Sequence, residues 1–218
     1  MIKISVDHYA AKLTRPFLMA SLASVDHFLI SVYSCMGAMA WHRHLDEDEL
    51  FMGYSGTATI ETSWGNAQVS IGELVTVPKG LPHRSYAAEL ALLLLVQTRG
   101  FAARRNGYQP RLGSTKGQIR KVSVAQEAAR LTDVFQPRRI AMTDSLGVSV
   151  QICLGAQEWH AHGGDQLILC HYGHLTVEGV GQSERIGRGE LVVLEAGELH
   201  RVVSPEPSTA ITMAQVRP

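Results

Sequence analysis

Short apolar stretches with a two-residue alternation recur along the chain, and most of them stop at a glycine or a proline. Leu29 to Cys35 is the first well-patterned one, followed by Gln68 to Ile71, Leu74 to Val77, His83 to Ala87 and Leu90 to Val96. Alternation of this kind marks a strand with one buried face. Ser63-Trp64-Gly65-Asn66 reads as a tight turn between two such strands. Many short strands separated by Gly and Pro turns predict an all-β barrel or jelly roll. Residues 1–28 form an arm ahead of the barrel with room for a strand or short helix. Ser123-Val124-Ala125-Gln126 has capping-box spacing before Glu127 to Leu131, which predicts a short helix there.

The chemistry gathers in two of these stretches. In Gly37 to Gly56, GAMAWHRHLDEDELFMGYSG, His42 and His44 stand two residues apart and Glu49 follows five residues later. Residues i and i+2 of a strand share a face, so both imidazoles can converge on one ion. Glu49 opens the next strand-like run and faces the same cavity. Two neutral nitrogens and a carboxylate suit a divalent transition metal such as Fe(II), Mn(II), Ni(II) or Zn(II). The fourth ligand is expected downstream at His83, which follows the turn Pro78-Lys79-Gly80. Phe51 and Ser85, each two residues from a ligand, are the expected cavity-lining side chains. Trp41 alternates with the histidines and is expected to face away. Asp46, Glu47 and Asp48 read as a solvated loop, from which one carboxylate can reach a ligand imidazole.

Self-comparison finds the same pattern again. Ala10-Ala11-Lys12-Leu13-Thr14 recurs as Ala128-Ala129-Arg130-Leu131-Thr132, an offset of 118 residues that also carries Phe17 to Phe135, Trp41 to Trp159, His42 to His160 and His44 to His162. Beyond the second histidine the offset is 117, so Glu49 maps to Gln166, Gly56 to Gly173 and His83 to His200. The second half therefore offers His160, His162, Gln166 and His200. An amide oxygen can coordinate but brings no charge, so a metal there keeps its full positive charge and is the stronger Lewis acid. Cys170, four residues after Gln166, is expected on the same inward face.

The two stretches resemble the two motifs of the cupin superfamily: HxH, four residues, Glu, six residues, Gly; then Gly, five residues, Pro-x-Gly, two residues, His. Two departures leave the ligands in place: four residues rather than five separate Gly37 from His42, and Ala87 stands where the second motif often ends in Asn. In the second half Glu195 replaces the turn proline. With the repeat, the resemblance implies a bicupin: two tandem double-stranded β-helix barrels, residues 1–100 and 123–218, joined by a basic linker, 101–122, and a short helix. It also implies one divalent metal per barrel, a small-molecule substrate, and a homodimer as one assembly option. Three His with Glu is a ligand set of cupin dioxygenases and decarboxylases, so an oxygenase-type enzyme on a small chelating substrate is expected. Three His with Gln resembles cupins that act on sugar acids and favours a non-redox isomerase or lyase on a sugar or keto acid. The third alternative is a metal-stabilised binding barrel without turnover.

Composition narrows the partners. Twenty basic and twenty acidic residues cancel, so no global charge draws the chain to nucleic acid or an anionic membrane. Leu90 to Val96 is too short to span a bilayer, and Met1 to His8 lacks the apolar core of a signal peptide. Three cysteines without CxxC spacing argue against a disulfide framework and for the cytoplasm. Arg99 to Lys121 holds seven basic residues and no acidic one. It reads as a solvated linker, or alternatively as a loop over a barrel mouth that attracts an anionic substrate.

Overall fold

The computed structural model describes residues 1–99, 104–106 and 119–216. The first part of the chain forms β1 (Ile2–Ser5), α1 (Val6–Ala10), β2 (Met19–Val25), β3 (Phe28–Ala38), β4 (His42–His44) and β5 (Glu49–Ser55). It continues through β6 (Ala58–Thr62), β7 (Gly65–Val69), β8 (Glu73–Val77), β9 (His83–Thr98) and β10 (Arg104–Asn106). Then come β11 (Lys121–Ser123), α2 (Val124–Ala128), β12 (Arg138–Thr143), β13 (Leu146–Ala156) and β14 (Gln166–Tyr172). The chain closes with β15 (His174–Gly179), β16 (Gln182–Gly187), β17 (Glu190–Leu194) and β18 (His200–Gln215). The protein is all-β, and α2 is the short helix that the capping box predicts. No helix among the described residues is long and apolar enough to cross a membrane.

The residues divide into two compact units. One holds His8–Leu22 and His27–Ser123; the other holds Met1–Asp7, Ala23–Asp26 and Val124–Pro218. In the first, strands run in the order β10-β4-β9-β5-β8-β11, with β3 and β6 also on β9. The long strand β9 organises this sheet. Its first residues, His83 to Tyr86, pair with β6, its later ones, Leu92 to Val96, with β5, and β3 lies along both parts. The sequence suggests two strands here, His83 to Ala87 and Leu90 to Val96. They are one strand carrying a bulge, because β3 keeps pairing on either side while the register jumps from Ala87 to Ala91. Alternate side chains of these strands bury Tyr33, Phe51, Ile60, Val75, Leu93 and Leu95 in one apolar core.

In the other unit the order is β1-β17-β14-β18-β13-β12, with the β15–β16 hairpin on β18. Its core holds Cys153, Ile168, Cys170, Val177, Val192 and Leu194. The first strand of the chain thus closes the edge of a sheet built from C-terminal residues, pairing Ile2–Ser5 with Glu190–Val193. Lys121–Ser123 closes the edge of the other sheet on Glu73–Val75. Of the expected linker 101–122, residues 104–106 form β10, paired with the ligand strand β4. Residues 100–103 and 107–118, and with them most of the basic loop, lie outside the described residues.

Backbone conformation repeats at the offset seen in the sequence. Left-handed φ angles occur at Phe17 and Phe135 (61° and 57°) and at Asp26 and Asp144 (49° and 47°). They recur in pairs at Gly37 and Gly155, Gly56 and Gly173, Gly72 and Gly189, and Gly80 and Gly197. A bulky residue such as Phe rarely adopts this region. At Gly80, φ of +76° turns the loop back so that its N–H donates to the carbonyl of His44 at 2.5 Å, which delivers the chain to His83 beside β4.

Candidate metal centre

Three strands bring the first ligand set together. On β4 the burial alternates, so His42 and His44 point inward and Arg43 between them does not. His42 is the register partner of His83, the first residue of β9, and Glu49 opens β5 on the other side of that strand. One donor atom from each of His42, His44, Glu49 and His83 lies within 4.8 Å of the others, and all four residues are buried. His83 Nε2 is 2.8 Å from Glu49 Oε2, and His44 Nε2 is 3.6 Å from the same oxygen.

The far side of each ring is tied down. His42 Nδ1 lies 3.0 Å from the carbonyl of Ala40, and His83 Nδ1 lies 2.9 Å from that of Leu81. A carbonyl only accepts, so Nδ1 carries the proton and Nε2 keeps its lone pair for the site. His44 Nδ1 faces Glu47 Oε1 at 3.2 Å instead. Glu47 is buried, and its other oxygen accepts from the Thr98 N–H at 3.1 Å and from the Thr98 hydroxyl. Gln97 Nε2 donates to Glu49 Oε1. Burial pushes the Glu49 carboxyl up, but the close approach of His83 and the neighbouring rings of His83, His44 and His42 outweigh it and hold the group below the usual carboxylate range. Converging lone pairs around an ionised, buried carboxylate are what a divalent cation requires.

The equivalent site in the other unit has His160 and His200 as backbone hydrogen-bond partners and offers ring nitrogens of His160, His162 and His200 within 4.8 Å. His160 Nδ1 and His200 Nδ1 are anchored on the carbonyls of Glu158 and Glu198, each at 2.9 Å. His162 Nε2, His200 Nε2 and Gln166 Oε1 are buried with no hydrogen-bond partner among the described residues. Unsatisfied buried polar atoms of this kind are costly. Three of them facing one cavity fit a bound ion. Burial lowers the His162 pKa, helped by His160 and His200, and burial likewise lowers that of His200. Both rings are thereby kept in the neutral, coordinating form.

Each site opens on a cavity, and the two walls differ. The first, about 140 Å³, is lined by Phe17, Met19, Tyr33, Met39, Phe51, Ser85, Leu95 and Gln97 beside the ligands. Phe51 and Ser85 are thus at the cavity, and Tyr33 Oη and Ser85 Oγ share a hydrogen bond of 2.7 Å. Burial pushes the Tyr33 phenol far up, so it stays protonated. The second, about 150 Å³, puts Gln151, Gln157, Ile168, Val202 and Thr212 beside His160, His162, Gln166 and His200. Cys170 is not in that wall. It faces inward, as the alternation predicts, but packs in the apolar core with its Sγ directed at the carbonyl of Gly173, 3.3 Å away. Ile168, two residues from Gln166, takes the lining position.

On the outer face, the Arg84 guanidinium stacks on Trp41 and Arg201 on Trp159, and each also pairs with a glutamate, Glu61 or Glu178. The tryptophans therefore back the ligand strands. Of the three loop carboxylates from which one is expected to reach a ligand imidazole, Glu47 is the one beside His44. Gln97 and Tyr33 are not singled out by sequence reasoning, because they lie in apolar strands without a motif.

No family model matches the sequence, and no curated protein matches it. Solved structures do match in fold. A cupin 2 conserved barrel domain protein from Leptotrichia buccalis aligns over 99% of this chain and 96% of its own, at 12% identity and a TM-score of 0.76. Salicylate 1,2-dioxygenase from Pseudaminobacter salicylatoxidans aligns over 98% and 83%, at 8% identity and a TM-score of 0.79. A deletion mutant of Bacillus subtilis oxalate decarboxylase aligns over 99% and 77%, at 14% identity and a TM-score of 0.63. The fold is therefore cupin-like, as the sequence resemblance implies.

Proposed function

We propose that the chain is a bicupin carrying one divalent transition metal per barrel, and that the N-terminal site is an oxygenase-type active centre for a small chelating organic substrate. The observation that carries this reading is the convergence of His42, His44, Glu49 and His83 on one point at a largely apolar cavity. A divalent metal held by these four residues would supply Lewis acidity and, if redox-active, a means of engaging dioxygen beside a chelating substrate. The protein's own part is to exclude water with Phe17, Phe51 and Leu95 and to offer the Tyr33–Ser85 hydroxyl pair to a polar group of the substrate. Paired left-handed positions, at an offset of 118 residues before the second histidine and 117 after it, support the reading of two barrels from an internal repeat. Gentisate complexes of the structurally similar salicylate 1,2-dioxygenase suggest hydroxylated benzoates as first substrates to try.

The neutral ligand set and the polar wall of Gln151 and Thr212 favour a second reading for the C-terminal site, as a non-redox isomerase or lyase centre for a sugar or keto acid. A cytoplasmic location is part of the proposal, and its support is the sparse, buried, unpaired cysteines. The test is dioxygen uptake by metal-reconstituted protein against hydroxybenzoates and small keto acids. Metal-dependent uptake that His42→Ala abolishes is expected. Ligand binding without uptake under every metal would overturn the oxygenase reading and leave the non-redox centre or a binding barrel.

A further inference from the structure

The two sites share their ligand positions but not the groups behind the ligands. Asp48 and Asp165 are equivalents, since Asp48 Oδ1 accepts from Lys79 N–H at 2.9 Å and Asp165 Oδ1 from Ala196 N–H at 3.1 Å. The residue before Asp48 is Glu47; the residue before Asp165 is Gly164. Strand register makes the second equivalence. Leu50 pairs with Val96 and Leu167 with Met213, so the residue after each is Gln97 in one half and Ala214 in the other. The N-terminal site thus has a buried carboxylate on His44 and an amide on Glu49, and the C-terminal site has glycine and alanine in their places.

We propose that Glu47 and Gln97 are positioning residues that make the N-terminal site the tighter of the two metal sites, an inference that rests on the metal reading above. A carboxylate on the outer nitrogen of a ligand imidazole fixes its tautomer and raises its basicity. Glu47, 3.2 Å from His44 Nδ1, is placed to do this while Thr98 holds the carboxylate from the other side through its N–H and hydroxyl. Gln97 fixes one oxygen of Glu49 and leaves Oε2 facing His44 and His83. Charge points the same way. Glu49 and Glu47 balance a divalent ion, whereas Gln166 and Gly164 contribute nothing against it.

Glu47→Gln is the sharpest variant because the amide cannot serve both neighbours. With its oxygen towards His44, its NH2 meets the Thr98 N–H, donor against donor. With its NH2 towards His44, the ring proton moves to Nε2, the nitrogen that faces Glu49. The experiment titrates metal-free protein with Co2+, reading the visible absorption spectrum and competition with a chromophoric chelator. Wild type is expected to show two classes of site, the tighter one removed by His42→Ala. Glu47→Gln is expected to weaken that class by about 10–100-fold and shift its spectrum, leaving the weaker class and the circular dichroism unchanged. Gln97→Leu is expected to act in the same direction. Wild-type affinity and spectrum in both variants would overturn the proposal, as would a tighter class removed by His160→Ala. Absence of any Co2+ binding by wild type would instead overturn the metal reading itself.

Discussion

His83 Nε2 stands 2.8 Å from Glu49 Oε2 while the same ring's Nδ1 is committed to the carbonyl of Leu81. With Nδ1 as the donor, both atoms of the close pair are acceptors, and a proton or a cation between them relieves the repulsion. Metal binding should therefore stabilise the fold measurably. A divalent ion at 100 times its dissociation constant adds about 2.7 kcal/mol per site. Thermal unfolding of wild type is expected to shift upward with added metal, and Glu49→Ala is expected to lose the share of the N-terminal site. An equal shift in both proteins would exclude Glu49 as a ligand.

Gln166 offers a buried, unpartnered amide oxygen at the C-terminal cavity. Gln166→Ala should weaken metal binding at that site alone, and Gln166→Glu should restore or tighten it by adding the missing charge. Isothermal titration with Zn2+ separates the two classes of site. Unchanged affinity in Gln166→Ala would mean that the amide is not a ligand.

The Arg84–Trp41 and Arg201–Trp159 stacks lie 5.1 and 5.0 Å from guanidinium to ring centroid. Each guanidinium is also paired with a glutamate on the neighbouring strand, Glu61 or Glu178. The pairs are partly exposed, so the ion pair contributes under about 1 kcal/mol and the ring contact about 0.5–1 kcal/mol. Arg84→Ala and Arg201→Ala are each expected to cost roughly 1–2 kcal/mol in urea unfolding, with Lys at either position recovering part of it. A cost below the error of the measurement would show that the stacks do not brace the ligand strands.

Lys3–Glu190 and Lys121–Glu73 tie the two edge strands to their sheets. Slight burial raises the Glu73 carboxyl, but the Lys121 hydrogen bond and the Ser70 N–H outweigh it, and the net shift is downward. Burial likewise raises Glu190 less than the Gly187 N–H and Lys3 lower it. A depressed native carboxylate takes up its proton later than the unfolded one, so these groups add stability above the ordinary carboxylate pKa and lose it as pH falls through the native value. Glu73→Gln and Glu190→Gln should therefore flatten the loss of stability below about pH 4.5 and leave neutral pH less stable than wild type. A pH profile of unfolding free energy parallel to wild type would contradict this.

How much was legible in the sequence follows from how local each feature is. HxH on one strand, Glu49 at the start of the next and His83 after a Pro-x-Gly turn are short-range patterns, and the fold brings all four side chains together. The recurrence of turns and ligand residues was equally visible, at an offset of 118 residues up to His44 and 117 beyond it. Long-range pairing was not. Nothing near Ile2–Ser5 points to Glu190, and the equivalence of Lys3 with Lys121 emerges only when both are seen on the edge of a sheet. Glu47 reads as one charge in an acidic loop until Thr98 and His44 are found on either side of it. Cys170 faces inward as the alternation predicts, but it lies one strand repeat beyond Ile168 and packs in the core rather than in the cavity wall.

The most direct test is the metal content of protein purified without added metal or chelator, measured as element and atoms per chain in wild type and in His42→Ala. The account predicts up to two atoms of a divalent transition metal per chain in wild type and one fewer in the variant. No metal in wild type, with none taken up on reconstitution, or an undiminished content in His42→Ala, would contradict it.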